Sequence, residues 1–293
     1  MSPVGTDADL LGRIEAYFDA APRASADVEE HGALTLFVSH IPWRYYGRPR
    51  LGLSEDVGAD DVAAVRARQR ELGVREAFEW VHETTPSLVG AATAAGLEVT
   101  MAPLLALDPD AWRPAAPPPG VTVRILGADD PALAAAQGAV ELAFAAPGTD
   151  AEGPGAAERD VATAGLYDLR FLRERLRRGL TAMAVAESEA EGALAAGSHQ
   201  PVGDVSEVMG VGTLPSARRR GIGAAGCHAS GSSASSGTIV TSRPAAVAAP
   251  TSDGVVSCTH SNASGTPSSR WRPRTASTSS APTSSASPRR GRP

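Results

Sequence analysis

The distribution of large apolar residues is the feature that most limits how this chain can fold. Residues 226–293 contain no leucine, phenylalanine or tyrosine, and consist mainly of Ser, Thr, Ala, Pro, Gly and Arg. Such a composition cannot bury enough apolar surface to offset about 1–2 kcal/mol of ordering entropy per residue. We therefore expect a folded part that ends near Ala225 and a disordered tail over 226–293.

This change in composition is abrupt, and it falls where a helix should begin rather than in a linker. Because the chain length still fits a complete domain, we hypothesise that 226–293 is the product of a shifted reading frame. A natural disordered tail is the alternative. Sequencing of the gene decides between them, since a frame shift predicts that a one-base change after Ala225 restores an amphipathic helix.

Charge and composition exclude several classes of function. The net charge is -6, and residues 1–225 carry -12 because seven of the arginines lie in the tail beside a single acid, Asp253. An acidic body gives no electrostatic footprint for DNA or RNA. Cys227 and Cys258 form no metal-ligand pattern, and no apolar run approaches the roughly 20 residues of a membrane span. We expect a cytoplasmic protein that binds no metal, no nucleic acid and no membrane.

The order of predicted elements indicates two α/β units. Residues 1–108 show the order helix, strand, helix, strand, and residues 109–120 form a stiff linker that contains Ala-Ala-Pro-Pro-Pro. Residues 121–225 then show strand, helix, helix and three strands. We place the domain boundary in the linker.

The last of these strands runs into a glycine-containing turn. The predicted strand 206–213 is followed by Leu-Pro-Ser-Ala-Arg-Arg-Arg-Gly-Ile-Gly, with Gly221 and Gly223 where a helix begins. Unpaired N–H groups at such a turn bind phosphate, and arginines beside them favour a polyphosphate ligand. A dinucleotide fold does not fit, because six residues separate the strand from Gly221 and no acid follows about 20 residues on. A P-loop is excluded because the chain has no lysine.

This segment closely resembles motif A of the GNAT acetyltransferases, R/Q-x-x-G-x-G/A, with its preceding strand. The resemblance implies an α/β (α+β) fold with a GNAT-like mixed sheet flanked by helices, and acetyl-CoA as co-substrate without a metal. It assigns the coenzyme to these positions: Val211, Gly212, Thr213, Arg218, Arg219, Arg220, Gly221, Ile222 and Gly223. Residues 60–107 resemble the later half of such a domain more faintly, so the first unit is either a degenerate GNAT-like domain or an unrelated α/β support domain.

The implied reaction is acetyl transfer to a primary amine of a small molecule or protein, which needs a general base. Glu207, on the strand that leads to the turn, is our candidate base, and an outward carboxylate without a role is the alternative. The family's usual thiolate donor is a tyrosine of a later helix, and this sequence has no tyrosine beyond Tyr167. His199 lies in a predicted loop, where we interpret it as solvated.

The tail weakens the functional implication of the motif. The domain over 121–225 is incomplete by the family's pattern, so a truncated module that binds or supports without catalysis is the alternative function. The acceptor and the oligomeric state cannot be read from the sequence.

Overall fold

A computed structural model of the chain describes residues 7–41, 45–107, 116–165, 169–223, 225, 238–242 and 255–261. All of these residues belong to one compact unit. The helices are α1 Asp7–Arg23, α2 Ala59–Glu71, α3 Ser87–Ala94, α4 Leu133–Ala145, α5 Ala156–Gly165 and α6 Arg170–Arg177. The strands are β1 Ala26–His31, β2 Leu34–Ser39, β3 Gly47–Pro49, β4 Ala77–Val81, β5 Glu98–Leu107, β6 Thr122–Leu126, β7 Ala182–Ser188, β8 Gly192–Val202, β9 Val205–Thr213, β10 Thr238–Ser242 and β11 Val255–Ser261.

The strands form one mixed sheet in the order β1-β2-β3-β4-β11-β5-β10-β9-β8-β7-β6. Strands β6 to β9 make an antiparallel meander, and β9 pairs in parallel with β10. Helices cover this sheet, as the sequence predicts, because each strand presents apolar residues that must be buried.

Helix α4 covers the C-terminal half of the sheet. Its Ala-rich sequence favours a helix, and its buried side chains recur at helical spacing, including Leu133, Ala136 and Val140. They pack with Val185 and Ala196 of the meander in one apolar cluster. This contact fixes the C-terminal end of α4 beside the C-terminal end of β9.

Helix α1 contacts strands of both halves of the chain. Ile14 and Phe18 share an apolar cluster with Val81 of β4, Leu104 of β5 and Val205 of β9. Helix α1 is the first helix of the predicted order, and it places N-terminal side chains against β9.

The structure differs from the expected tail at two segments. Strand β10 lies between β5 and β9, and strand β11 lies between β4 and β5. Both are rich in β-branched residues, which suit a strand, and both fill a position between strands that would otherwise leave unpaired backbone groups. The rest of 226–293 and most of the predicted linker lie outside the described residues, and the domain boundaries stay a prediction.

Candidate functional site

Strand β9 has an irregular register near its C-terminal end. Against β8, the pairing shifts between Ser198, which opposes Met209, and Ala196, which opposes Gly212. On its other side, the described part of β10 pairs with β9 only from Val205 to Glu207. The far end of β9 therefore presents a strand edge that β10 does not cover, and an extended ligand chain can hydrogen-bond to such an edge.

The chain leaves β9 through a short 3-10 turn, Pro215–Ala217, and then enters the glycine turn. Arg219 and Gly221 have φ of 61° and 80°, so the backbone turns sharply in the left-handed region that glycine tolerates best. A helical turn starts at Ile222, with the N–H of Ala225 donating to the carbonyl of Gly221. The N–H groups from 219 to 223 have no acceptor within the described part of the chain. The turn therefore has the unpaired amides that an anion site needs.

A cleft of about 470 Å³ lies where the strand edge meets this turn. It is lined by Ala143, Phe144, Gly148, Thr149, Val211, Gly212, Thr213, Ala217, Arg218, Arg219, Gly221, Ile222 and Gly223. Eight of the nine positions assigned to the coenzyme thus lie together around one cavity. The exception is Arg220, which points to Glu191 at 3.5 Å and is 45% exposed.

The other wall of the cleft comes from the end of α4 and the loop after it, which sequence reasoning missed. Phe144 is 52% exposed at this wall, an unusual position for a large aromatic ring. The available signal was the Pro147-Gly148 pair directly after an Ala-rich helix, which marks a helix end but does not say what that end faces.

Gly212 allows the two walls to approach each other. A Cβ at this position would lie 2.8 Å from Cβ of Ala143 and 2.9 Å from Cα of Val140. A side chain here would therefore displace the backbone of α4. The glycine is required by close packing, in addition to any role toward a ligand.

The arginines of the turn do not all face the cavity freely. Nη2 of Arg218 donates to the carbonyls of Ala146 at 2.6 Å and Ala143 at 3.2 Å, and its Nη1 donates to Asp150 at 3.3 Å. Nε of Arg219 donates to the carbonyl of Thr149 at 3.0 Å. Both side chains are therefore partly engaged by the loop that follows α4.

Glu207 lies on β9 upstream of the cleft, against helix α1. The hydroxyl of Tyr17 donates to the carbonyl of Gln200 at 2.8 Å and lies 3.4 Å from Oε2 of Glu207. Burial, followed by the negative charge of Glu207, raises the pKa of Tyr17 far above its ordinary value. Burial also raises the pKa of Tyr46, another neighbour whose charge would interact with Glu207. A tyrosine of the N-terminal half thus contacts the candidate base, which no local sequence pattern indicates.

His199 corrects the sequence analysis. It lies in strand β8 and is 1% exposed, so the predicted solvated loop histidine is wrong. Its Nδ1 lies 3.2 Å from Oγ of Ser206, and desolvation lowers its pKa to about 4. Pairing between β8 and β9 extends through this position, where His199 opposes Val208.

A second group of titratable residues lies in the N-terminal half. Arg48 is 0% exposed and forms an ion pair with Glu15 of α1. Desolvation raises the pKa of Glu79 to about 7, although the positive charge of Arg48 opposes this shift. Within the described ranges, no cluster of His, Cys, Asp and Glu suits a metal ion, and no helix has the length and apolar character of a membrane span.

Comparison with solved structures identifies the fold. A GCN5-related N-acetyltransferase from Kribbella flavida aligns with a TM-score of 0.59 and 19% identity, over 83% of this chain and 89% of that protein. A tandem GNAT protein from the clavulanic acid biosynthesis pathway aligns with a TM-score of 0.45 and 16% identity, over 81% and 87%. Neither a protein-family model nor a curated protein matches the sequence. The chain has the fold of the GNAT N-acetyltransferases, as the motif predicts.

Proposed function

We propose that this chain binds acetyl-CoA in the cleft between β9 and α4 and transfers the acetyl group to a primary amine of a small molecule or protein. The observation that carries the proposal is the meeting of two backbone features in one cavity. The edge at Val211–Thr213, which the described part of β10 leaves uncovered, suits the amides of a pantetheine arm. The N–H groups of the glycine turn, unpaired within the described residues, suit a diphosphate.

The proposed chemistry is direct attack of the amine on the thioester. The amine nitrogen forms a bond to the carbonyl carbon, the carbon–sulfur bond breaks, and coenzyme A leaves as a thiolate. Glu207 accepts the proton that the amine loses, through a water molecule. The hydroxyl of Tyr17 lies 3.4 Å from Oε2 of Glu207, close enough to orient this carboxylate.

A cytoplasmic location fits this proposal, because acetyl-CoA is an intracellular metabolite. The family resemblance supports amine acceptors as a class.

The test is calorimetric titration of the full chain with acetyl-CoA, followed by detection of free thiol during incubation with a panel of primary amines. We expect binding, and thiol release that Glu207→Gln reduces by about 10²–10⁴-fold with little change in the dissociation constant. Glu189→Gln is the matched control, since this exposed glutamate lies outside the cleft. Absence of binding would remove the proposed function, and unchanged turnover in Glu207→Gln would remove Glu207 as the base.

A coenzyme-binding module without catalysis is the second candidate. The composition after Ala225 favours it, because that segment contains no leucine, phenylalanine or tyrosine with which to build an acceptor pocket. Binding of acetyl-CoA without thiol release from any amine, in both the unaltered chain and Glu207→Gln, would support this reading.

A further inference from the structure

The side chain of Arg218 is directed at the C-terminal end of helix α4. Its guanidinium donates to three backbone carbonyls, those of Ala143, Ala146 and Asp150, at 2.6–3.3 Å. The last carbonyls of a helix lack intrahelical partners and carry partial negative charge, so a cation with several donors is well placed there. One side chain thus satisfies the helix end and the start of the next loop together.

The loop after α4, residues 146–155, is held at two further points, one in the glycine turn and one in the 3-10 turn before it. Arg219 donates from Nε to the carbonyl of Thr149 at 3.0 Å, and the N–H of Ser216 donates to the carbonyl of Pro154 at 3.3 Å. This α4–α5 loop supplies Gly148 and Thr149 to the cleft, while the glycine turn supplies the opposite wall. The contacts therefore join the two walls of the cavity.

Phosphate binding and this clamp compete for the same donors. A guanidinium has five N–H donors, and two of the three nitrogens of Arg218 are already bonded to carbonyls on the protein. A bidentate contact with a phosphate uses Nη2 together with Nε or Nη1, and Nη2 already donates to both carbonyls at the partly buried end of α4. Such a contact would therefore take this donor away from those carbonyls. The backbone N–H groups of the turn have no such competing partners within the described residues.

We propose that Arg218 is a positioning residue: it clamps the α4–α5 loop onto the glycine turn and keeps the cleft open in its binding shape, and it does not bind the diphosphate itself. The inference rests on the proposed function only in taking this cleft as the coenzyme site. It reverses the direct role that the motif assigns to this side chain and leaves diphosphate binding to the backbone of the turn.

The first test needs no ligand. Amide hydrogen exchange of the unliganded full chain is compared among the unaltered protein, Arg218→Ala and Arg173→Ala. Arg173 is the matched control, because its Nη1 also donates to a loop carbonyl, that of Ala128 at 2.7 Å, away from the cleft. We expect at least tenfold faster exchange over 146–150 in Arg218→Ala alone, with partial recovery in Arg218→Lys. Unchanged exchange over this segment in Arg218→Ala would overturn the clamp.

The second test separates positioning from phosphate binding. Dissociation constants for coenzyme A and for pantetheine, which has no phosphate group, are measured at several salt concentrations. These measurements compare Arg218→Ala with the unaltered protein. If Arg218 is a clamp, its loss weakens the binding of both ligands by a similar factor, about tenfold, because the loop must then be ordered on binding. The salt dependence of coenzyme A binding stays the same. A loss confined to coenzyme A, with a shallower salt dependence, would show direct phosphate contact and overturn the proposal. If coenzyme A does not bind the unaltered chain, the proposed function fails, and the exchange experiment still decides the role of Arg218.

Discussion

Gly221 offers the sharpest test of the backbone site, because a side chain at this position affects folding through its conformation and affects binding through its place in the cleft. The two effects can be measured separately. Its φ of 80° lies in the left-handed region, which costs a residue with a side chain about 1–2 kcal/mol. Within the described residues, a Cβ at this position would meet only Cγ of Pro118, at 3.8 Å, so Gly221→Ala leaves the protein packing intact. The added methyl group would instead stand at the rim of the cleft.

The expected effect on binding is larger than the effect on folding. A hydrogen bond to a charged group contributes about 1.5–3 kcal/mol, so the loss of one amide–phosphate contact raises the dissociation constant roughly tenfold to hundredfold. Calorimetric titration with acetyl-CoA measures this change. Urea denaturation of the same variant measures the cost of the left-handed conformation.

Gly179→Ala is the matched control, because Gly179 has a φ of 67°, has open space around its Cα and lies outside the cleft. Both variants should lose a similar 1–2 kcal/mol of unfolding free energy, and only Gly221→Ala should lose affinity. Equal affinity of the two variants for acetyl-CoA would refute the assignment of the glycine turn to the diphosphate.

Two groups with shifted pKa values, His199 and Glu79, predict how stability depends on pH. The pKa of His199 is about 4 in the folded protein and 6.5 in the unfolded chain, so the unfolded chain binds more protons between these pH values. The free energy of unfolding therefore falls as pH drops from about 6.5 to about 4, by on the order of 3 kcal/mol. His199→Asn should abolish this decline in urea denaturation series, and an unaltered pH profile would refute it. Glu79 acts with the opposite sign, because its folded pKa of about 7 exceeds the unfolded 4.5, so unfolding free energy falls as pH rises from about 4.5 to about 7. Glu79→Gln should therefore raise stability at pH 8 relative to pH 4.5, and loss of stability at pH 8 would contradict the assigned shift. Between pH 4.5 and 6.5 the two groups change the free energy of unfolding in opposite directions. Each variant removes one group, so the pH dependence that remains shows the contribution of the other.

Local sequence determined the part of the site that lies within one segment. Strand β9, the turn at Pro215 and the glycines at 221 and 223 follow one another without interruption, so an anion-binding turn is readable from the sequence, and the resemblance to motif A adds the coenzyme positions. Backbone amides at such a turn need no distant partner to be left unpaired. The placement of eight of the nine predicted coenzyme positions around one cleft reflects this locality.

Tertiary structure decided everything that depends on which surfaces meet. Whether Arg218 faces a ligand or the carbonyls of α4 depends on the packing of that helix, about 70 residues earlier in the chain. The approach of Tyr17 to Glu207 spans 190 positions and requires α1 to cross both halves of the sheet. His199 is buried because strands pair on both sides of β8, although its neighbours in sequence include glycine, serine, glutamine and proline. The unpaired backbone groups of strand edges and helix ends bind to whichever segment lies nearest in space. The distance between two residues in sequence does not say whether they are close in space.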